Sequence, residues 1–501
     1  MNKYLDLLLN RFSMYKVVSG ALVLLFVLTL IFAFLGMVAY SPLAMIVSLV
    51  VLGLSVWLTS LLFGILFGVS VHSESSFITA LILFFIFTPT LQLAGLLALM
   101  LVGMIAAASK FLLVYRGRHV FNPVALAAFV IGITGLAYAT WWVATPILFI
   151  PTLLLGLAVM YKTRRGAATG TFLVLATVVL IVVLTTQGAS LSQSLVLWFS
   201  WPILFFAVFM LTEPLTLPQK KWQVVLEAVI VAVLFVVPIQ IAGFSSSPAL
   251  ALLIGNLIAF GFSRRRSTIL KFEEMKQLTP TSYEFIFKPS RSLVYEAGQY
   301  IDIMVSSIKD DLRGSRRSFS VTSGPNESML RLGIKFYEPS STLKSTLLKL
   351  KPGTLIQSTG INGDFTLPKD PGTPLVYIAG GIGITPFMSH LARLKTLQQT
   401  REITLFYAVT DASELAYRDL LILSGIKVCV VTKLNEPLDL PVGWVQSNEP
   451  FISENILIET VPDIAMRTVY LSGPPNMVDS VKKSLKKLHV HSIRTDYFIG
   501  Y

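Results

Sequence analysis

The sequence predicts two parts of different class: an N-terminal all-α polytopic membrane bundle of about ten helices over 1–263, then a water-exposed part. The second part divides into an antiparallel β-barrel over 264–370 and an α/β parallel-sheet domain over 371–501. Three observations carry this reading. Hydrophobic residues make up 54% of the 501 and charged residues only 13%, yet residues 17–263 are nearly all apolar while 264–501 have globular composition. From Leu270 the pattern changes to short strands with turn residues between them. Further on, PLVYIAGGIGITPFMSHLARL reads as buried strand, glycine turn and helix.

The chain opens on Met1–Lys16, an amphipathic, mildly basic lead-in with no small-residue cleavage site, so no removable signal peptide is expected. A helix needs about 20 apolar residues to cross a bilayer, fewer when broken or buried in a bundle. Ten stretches qualify: 17–39, 43–69, 76–89, 91–109, 122–140, 146–161, 169–186, 193–212, 222–242 and 248–263. Up to Arg266 the chain carries fourteen Lys and Arg against four Asp and Glu, +10 of the formal net charge of +13. With ten crossings and a cytoplasmic N-terminus, the inside segments are the N-terminal stretch, 70–75, 110–121, 162–168, 213–221 and everything after 263. Every one of those cations falls inside. The positive excess is therefore topological, and nucleic acid is not an expected partner. The same rule places the chain in the cell membrane, with its N-terminus and C-terminal domain cytoplasmic.

The single cysteine, Cys429, sits in the apolar run VCVVT and reads as core, which excludes an intramolecular disulfide, a Cys-ligated iron–sulfur cluster and a CxxC redox pair. His72 and His119 stand at loop ends, so paired axial ligands for a transmembrane haem are missing, and no metal site is read. No chain of intramembrane carboxylates supports a proton or sodium pump.

Two places depart from plain lipid-facing helices. The stretch 76–89 is short and ends in Thr88-Pro89-Thr90, as a half-helix inside a bundle would. RGRHVFNP, Arg116–Pro123, runs a basic loop into Asn122-Pro123 at a helix start, and Thr212-Glu213-Pro214 puts a carboxylate at the inner end of the eighth helix. Free N–H groups at a helix start bind anions, though the same residues also serve as plain caps. SKFLLVYRGRHVFNPVALA and FMLTEPLTLP resemble one membrane-protein family, the D subunit of Rnf-type electron-transport complexes and the B subunit of sodium-translocating NADH:quinone reductases. The resemblance spans most of 76–263 and implies ten helices that carry flavins, one linked through phosphate to a threonine of an S-G-A-T-like loop. By it, His119, Asn122, Thr212 and Glu213 mark a membrane site for FMN or riboflavin. The place of that loop here holds TWWVATP, residues 140–146, with Thr145 the nearest threonine and no S-G-A-T in the chain. That departure speaks against covalent attachment and leaves a non-covalent flavin open.

In the second part, ILKFEEM, SYEFIFKP, QYIDIMVS and LRLGIKFY read as strands, and SSTLKSTLLKLKPGTLI as a short helix and a further strand. Six short strands with one helix suit a small antiparallel barrel. Within it, Arg313–Ser323, RGSRRSFSVTS, alternates basic, aromatic and hydroxyl residues. On a strand, Arg317 and Phe319 share one face and Ser318 and Ser320 the other. A guanidinium forks onto phosphate and a flat ring covers a planar heterocycle, which suits a dinucleotide with an aromatic head. Ser341-Thr342 open the short helix and are read as an N-cap or a pyrophosphate site. Gly380, Gly381 and Gly383 clear space at a strand–helix turn, and EITLFYAV, IKVCVV and TVYLSGPP follow as further parallel strands.

RRSFSVTS, SSTLK, GGIGITP, SGPPNMV and TDYFIGY, in that order, resemble the ferredoxin–NADP reductase family over nearly all of 267–501. The resemblance implies FAD on the barrel and NADH or NADPH on the parallel sheet. By it, Arg317, Ser318, Phe319 and Ser320 hold the flavin and its phosphates, with Ser341 and Thr342 at the pyrophosphate. Gly380, Gly381, Gly383 and Thr385 meet the nicotinamide nucleotide, and Gly473, Pro474 and Asn476 position the nicotinamide. Tyr497, Phe498 or Tyr501 covers the flavin face or anchors the tail. Thr410-Asp411 after EITLFYAV favours NADH, since a carboxylate there accepts from ribose hydroxyls. The expected function is a membrane flavin oxidoreductase passing electrons from NAD(P)H through FAD to quinone or an extracytoplasmic acceptor. A cytoplasmic-side quinone reductase that uses its helices as an anchor, and a transporter regulated by a nucleotide-binding domain, are the alternatives.

Overall fold

The computed structural model describes residues 12–68, 73–115, 118–213, 216–218, 220–241, 244–262, 267–305, 316–337, 340–433 and 437–498. Two compact units divide the chain, Met1–Arg264 and Arg265–Tyr501.

The first unit is helical. Its helices are α1 (Met14–Phe34), α2 (Pro42–Phe67), α3 (Ser73–Ile86), α4 (Leu93–Leu112), α5 (Pro123–Thr134), α6 (Pro146–Thr163), α7 (Gly166–Thr186), α8 (Leu191–Trp198), α9 (Ile203–Phe209), α10 (Lys221–Val236) and α11 (Pro248–Phe262). Two small hairpins join them, β1 (Val114–Tyr115) with β2 (Arg118–His119) and β3 (Gln240–Ile241) with β4 (Phe244–Ser245). Helix limits follow local chemistry. Ser41 caps α2 through Ala44 N, Pro42 supplies a ready-set first turn, and Gly68 closes the helix at φ +63°.

Five of these helices, α1, α2, α4, α6 and α7, are long and apolar enough to cross a membrane. Sequence reading expects one crossing over 193–212, but the chain there forms α8 and α9, bent by 41° around Ser200-Trp201-Pro202. Pro202 lacks the N–H that a continuous helix would use. Counting that pair as one span gives six, while α3, α5 and α11 are shorter apolar helices. Helix α3 is the expected short one, and Ala80–Ile86 are all buried. Its last carbonyls are taken by the returning loop: Thr140 N and Trp141 N donate to Ile86 O at 2.9 Å, and Trp142 Nε1 to Phe84 O at 2.7 Å.

The second unit holds two six-stranded sheets. The antiparallel one comprises β5 (Thr268–Thr279), β6 (Ser282–Pro289), β7 (Tyr300–Met304), β8 (Arg316–Ser320), β9 (Leu330–Lys335) and β10 (Leu355–Asn362), with helix α12 (Thr342–Leu347) before β10. Its order is β8-β7-β10-β5-β6-β9, and a bridge between Val321 and Leu332 brings the two edges together. Period-2 alternation sets what faces the core: Leu270 and Phe272 of β5 are buried while Lys271 between them is exposed.

The parallel sheet comprises β11 (Leu375–Gly380), β12 (Ile403–Val409), β13 (Lys427–Thr432), β14 (Trp444–Gln446), β15 (Thr468–Gly473) and β16 (Ile493–Tyr497), in the order β14-β13-β12-β11-β15-β16. Helices α13 (Thr385–Thr396), α14 (Arg418–Ser424), α15 (Glu454–Thr460) and α16 (Pro475–Lys487) make its connections. Every residue of β11 and β15 is buried, as strands covered on both faces require.

Candidate functional site

The parallel sheet decides where a nucleotide can lie. The chain steps outward from β11 through β12, β13 and β14, then returns to lay β15 on the other side of β11. Ligands of open parallel sheets occupy the crevice beyond the carboxyl ends of strands at such a reversal. Gly380 ends β11 and Gly473 ends β15, so the two predicted motifs meet there. A Cβ on Gly473 would lie 3.1 Å from Gly380 Cα. One on Gly383 would come within 2.5 Å of the Ser472 carbonyl oxygen and 2.8 Å of Gly473 Cα. Gly381 is different: its φ is +52° and nothing stands within 4 Å of where a Cβ would be, so its backbone borders open space.

Pro474 and Asn476 are exposed at the start of α16. Thr385 opens α13 but is fully buried; its hydroxyl donates to Ile382 O at 3.0 Å, and a Cβ on Gly333 of β9 would come within 2.6 Å of its methyl. Thr385 thus packs the turn against the barrel. Ser472 heads the SGPPNMV motif, but sequence reading gives it no role of its own. It is fully buried beside Gly473, and its hydroxyl has no hydrogen-bond partner among the described residues. A buried polar atom without a partner costs about 1–3 kcal/mol, and an arriving nucleotide can supply one. The orphaned hydroxyl and the open backbone at Gly381 both fit a bound nicotinamide nucleotide.

On the barrel, β8 pairs with β7 so that Ser318 faces Asp302, Arg317 faces Ile303 and Phe319 faces Ile301. Asp302 is the hub of one face. Arg316 Nη2 pairs with its Oδ2 at 2.6 Å, Asn362 Nδ2 donates to the same oxygen at 3.2 Å, and the Ser318 hydroxyl donates to Oδ1. Ser318 is thereby tied to Asp302. Arg317 and Phe319 share the other face; Arg317 is half-buried with Nη1 donating to Arg316 O at 2.8 Å, while Phe319 is 9% exposed and belongs to the barrel core. Only the rim of that ring is open to a ligand. Ser341 is the N-cap of α12, its oxygen accepting from Lys344 N at 3.4 Å, and Thr342 is the first helical residue. Arg313 and Tyr501 lie outside the described residues. Tyr497 Oη donates to Asp479 Oδ1 at 3.1 Å, and Phe498 N to Gly473 O at 2.9 Å, so the tail is drawn to the crevice.

Barrel and parallel sheet close on each other through polar contacts. Thr281 Oγ1 donates to Glu414 Oε2 at 2.8 Å, Lys335 pairs with the same oxygen at 2.8 Å, and Ser389 Oγ donates to Ser323 O at 2.7 Å. Ser320 Oγ lies 3.5 Å from Asp496 Oδ2 on β16, which sets a carboxylate against the last residue of the arginine strand. Asp496, inside the TDYFIGY motif, was given no role by motif reading. Neither was His390 of α13, wholly buried with Nε2 donating to Phe365 O at 2.8 Å and the Phe365 ring stacked on it at 14°. Burial above all pushes His390 down to about 4, so it is neutral at neutral pH.

In the first unit, three of the four proposed flavin residues gather around one cavity. Asn122, Thr212 and Glu213 line it, together with Ser75, Thr79 and Thr163 among others. Asn122 is the centre: its Oδ1 caps Val124 N and Ala125 N, its Nδ2 donates to Glu213 Oε2 at 2.7 Å, and its N donates to Asn256 Oδ1 at 2.8 Å. The Thr212 hydroxyl is committed to Val208 O. His119 sits on β2, opposite Val114, and is not part of the cavity wall. Arg116, Pro214, His72 and Arg264–Arg266 lie outside the described residues. Thr145 stands before Pro146 at the head of α6 with a buried hydroxyl, a poor position for receiving a flavin phosphate.

Residues 377–483 match the family model for the oxidoreductase NAD-binding domain. The C-terminal unit is an oxidoreductase unit that binds FAD and NAD(P)H. Among its relatives, the reductase component of propane 2-monooxygenase from Rhodococcus jostii is 30% identical over 213 residues, 41% of this chain and 53% of that protein. The phenol hydroxylase P5 protein of Acinetobacter pittii is 27% identical over 233 residues, 45% and 64% respectively. A flavohemoprotein of Halalkalibacterium halodurans is 25% identical over 253 residues, 48% and 61%. The chain thus spans less than two thirds of the length of each.

Proposed function

We propose that the chain is a membrane-bound flavin oxidoreductase that passes electrons from NAD(P)H through FAD to a membrane or extracytoplasmic acceptor, quinone being one. The observation that carries this is the meeting of Gly380–Gly383 with Ser472-Gly473 at the strand-order reversal, within one compact unit with the arginine strand. Bound FAD would link the two-electron chemistry of a nicotinamide to one-electron transfer. Arg317, Ser318, Phe319 and Ser320, with Ser341 and Thr342, are assigned to the flavin. Gly380, Gly381, Gly383 and Thr385 are assigned to the nucleotide, Gly473, Pro474 and Asn476 to the nicotinamide, and Tyr501 to the flavin face. Asp496, set against Ser320, is added as the group that orients that hydroxyl.

NADH is the proposed donor. Asp411 follows β12, and hydrogen bonds from the Ser413 side chain and from Ser413 N, the latter to Oδ1 at 2.7 Å, hold its carboxyl below the usual range and keep it anionic. An anion at the end of this strand suits ribose hydroxyls and repels a 2′-phosphate. The domains proposed are a membrane part over 1–263 akin to the Rnf D subunit family, an FAD barrel over 264–370 and a nucleotide domain over 371–501. Ten crossings in the cell membrane, with the N-terminus and C-terminal domain cytoplasmic, complete the reading. Asn122, Thr212 and Glu213, with His119 three positions before Asn122, are proposed to serve a non-covalent FMN or riboflavin, or the acceptor itself. An anchor alone would need one apolar helix, whereas this unit builds a mainly apolar cavity that Asn122, Thr212 and Glu213 help to line.

Purified full-length protein should release FAD on denaturation and oxidise NADH with ferricyanide. Arg317→Ala removes a charge-assisted contact to phosphate, worth about 1.5–3 kcal/mol, so FAD retention should fall more than about tenfold and turnover with it. Full turnover in a variant depleted of FAD would overturn the reading.

A further inference from the structure

The bundle cavity holds chemistry that binding alone does not require. Its wall is apolar over Met14, Val18, Ile78, Ile82, Val208 and Phe209, and its volume is about 80 Å³. Against that wall stands one carboxyl group, Glu213, aimed by Asn122, which Asn256 holds in turn. Lys110 of α4 is tethered nearby. Its Nζ donates to Ser75 O at 3.1 Å, Ser75 Oγ at 3.0 Å and Thr79 Oγ1 at 2.7 Å, and both residues line the cavity. Tyr15 of α1 also lines the cavity, the Lys16–Glu74 pair at 3.9 Å is next to its lining residues in sequence, and Glu227 of α10 is fully buried against α11 beside Gly255.

An apolar pocket suits a lipid-soluble ring better than a hydrated ion. Two-electron reduction of a conjugated dicarbonyl ring leaves negative charge that a bundle interior penalises heavily unless protons arrive. An ionisable residue inside a membrane bundle is itself a mark of function. We propose that Glu213 delivers a proton to a conjugated carbonyl ring, of quinone or flavin type, reduced in this cavity. This rests on the reading that electrons leave the C-terminal unit for the membrane half. For a quinone, the Glu213 O–H bond breaks as a ring O–H bond forms, and the carboxylate regains its proton from water. Water supplies the second ring proton, and NAD(P)H supplies both electrons.

The test uses full-length protein in lipid nanodiscs, NADH as donor, and a short-chain quinone or ferricyanide as acceptor. Glu213→Gln should lower the ratio of quinone to ferricyanide turnover at least about tenfold and flatten its dependence on pH between about 5 and 9. Glu213→Asp should restore most of the ratio. Quinone affinity, read without NADH by quenching of tryptophan fluorescence, should change less than about threefold in Glu213→Gln. Flavin released per chain separates the ring types. FAD alone assigns the cavity to quinone; a second flavin whose midpoint potential loses its pH dependence in Glu213→Gln assigns it to flavin. Wild-type protein that reduces neither acceptor overturns the proposed function, and this inference with it. Protein that reduces both, with the ratio unmoved in Glu213→Gln, overturns the proton role alone, as does loss of quinone affinity that Glu213→Asp fails to restore.

Discussion

The crevice between β11 and β15 and the cavity in the helical bundle are both polar places in apolar surroundings, and they are built in opposite ways. The crevice is made by backbone. Gly380, Gly383 and Gly473 pack main chain against main chain, and Gly381 leaves main chain open. The cavity is made by side chains, with Asn122 joining α5 to Glu213 and to α11. A backbone site depends on the absence of atoms, so one added carbon disables it. A side-chain site depends on a few functional groups, so a shape-preserving change removes chemistry and leaves the shape.

The strongest attack on the first kind of site is Gly383→Val. The new side chain would meet the Ser472 carbonyl oxygen at 2.5 Å and Gly473 Cα at 2.8 Å, and backbone cannot step aside as a flexible side chain can. Overpacking of this kind costs about 1–3 kcal/mol in stability. NADH-dependent ferricyanide reduction should fall at least about a hundredfold while FAD content stays near wild type. A variant that keeps half its activity would break the contrast between the two sites.

Next comes Asp496→Asn, which keeps the shape beside Ser320 and removes the charge. Turnover with NADH should drop about tenfold, since hydrogen bonds to charged groups are worth about 1.5–3 kcal/mol, with little change in apparent KM. A rise in KM alone would make Asp496 a binding contact instead.

What sequence reading reached follows the same division. Glycine turns and apolar strand runs are local, so GGIGITP and SGPP could be placed at strand ends, and β11 and β15 join them. Asp496 and Ser320 are 176 positions apart, and no spacing rule links them. Phe319 shows a subtler gap: alternation puts it on the face of Arg317, but only packing reveals that it fills the barrel core. In the bundle, hydropathy located each apolar stretch and could not foresee the 41° bend after Trp198. Asn122 and Glu213 stood out as helix-end residues, whereas Lys110, Ser75 and Asn256 looked like any loop-end or helix residue until folded together.

His390 sharpens the comparison from the side of stability. Its imidazole is held down at about 4, against about 6.5 for an unburied histidine, so the unfolded chain binds a proton that the folded one refuses between those values. Stability of the C-terminal unit should therefore hold above about pH 6.5 and decline as pH falls toward about 4, by roughly 3 kcal/mol in all. Thermal melts across that range read the slope. His390→Gln should remove about one proton from it, while the remaining acid dependence of the unit persists.

The smallest expected effect decides between two readings of one residue. Ser341 accepts from Lys344 N as an N-cap of α12, and the same hydroxyl is assigned to the FAD pyrophosphate. As a cap alone, Ser341→Ala should cost about 1 kcal/mol of stability and leave FAD affinity as it was. As a shared ligand it should weaken FAD several-fold at the same cost in melting temperature, and Ser341→Asp, a competent cap with a repelling charge, should weaken it further. Capping is a side-chain duty that many residues can perform, so a flavin affinity indifferent to both substitutions would leave phosphate binding on the barrel to Arg317 and to backbone.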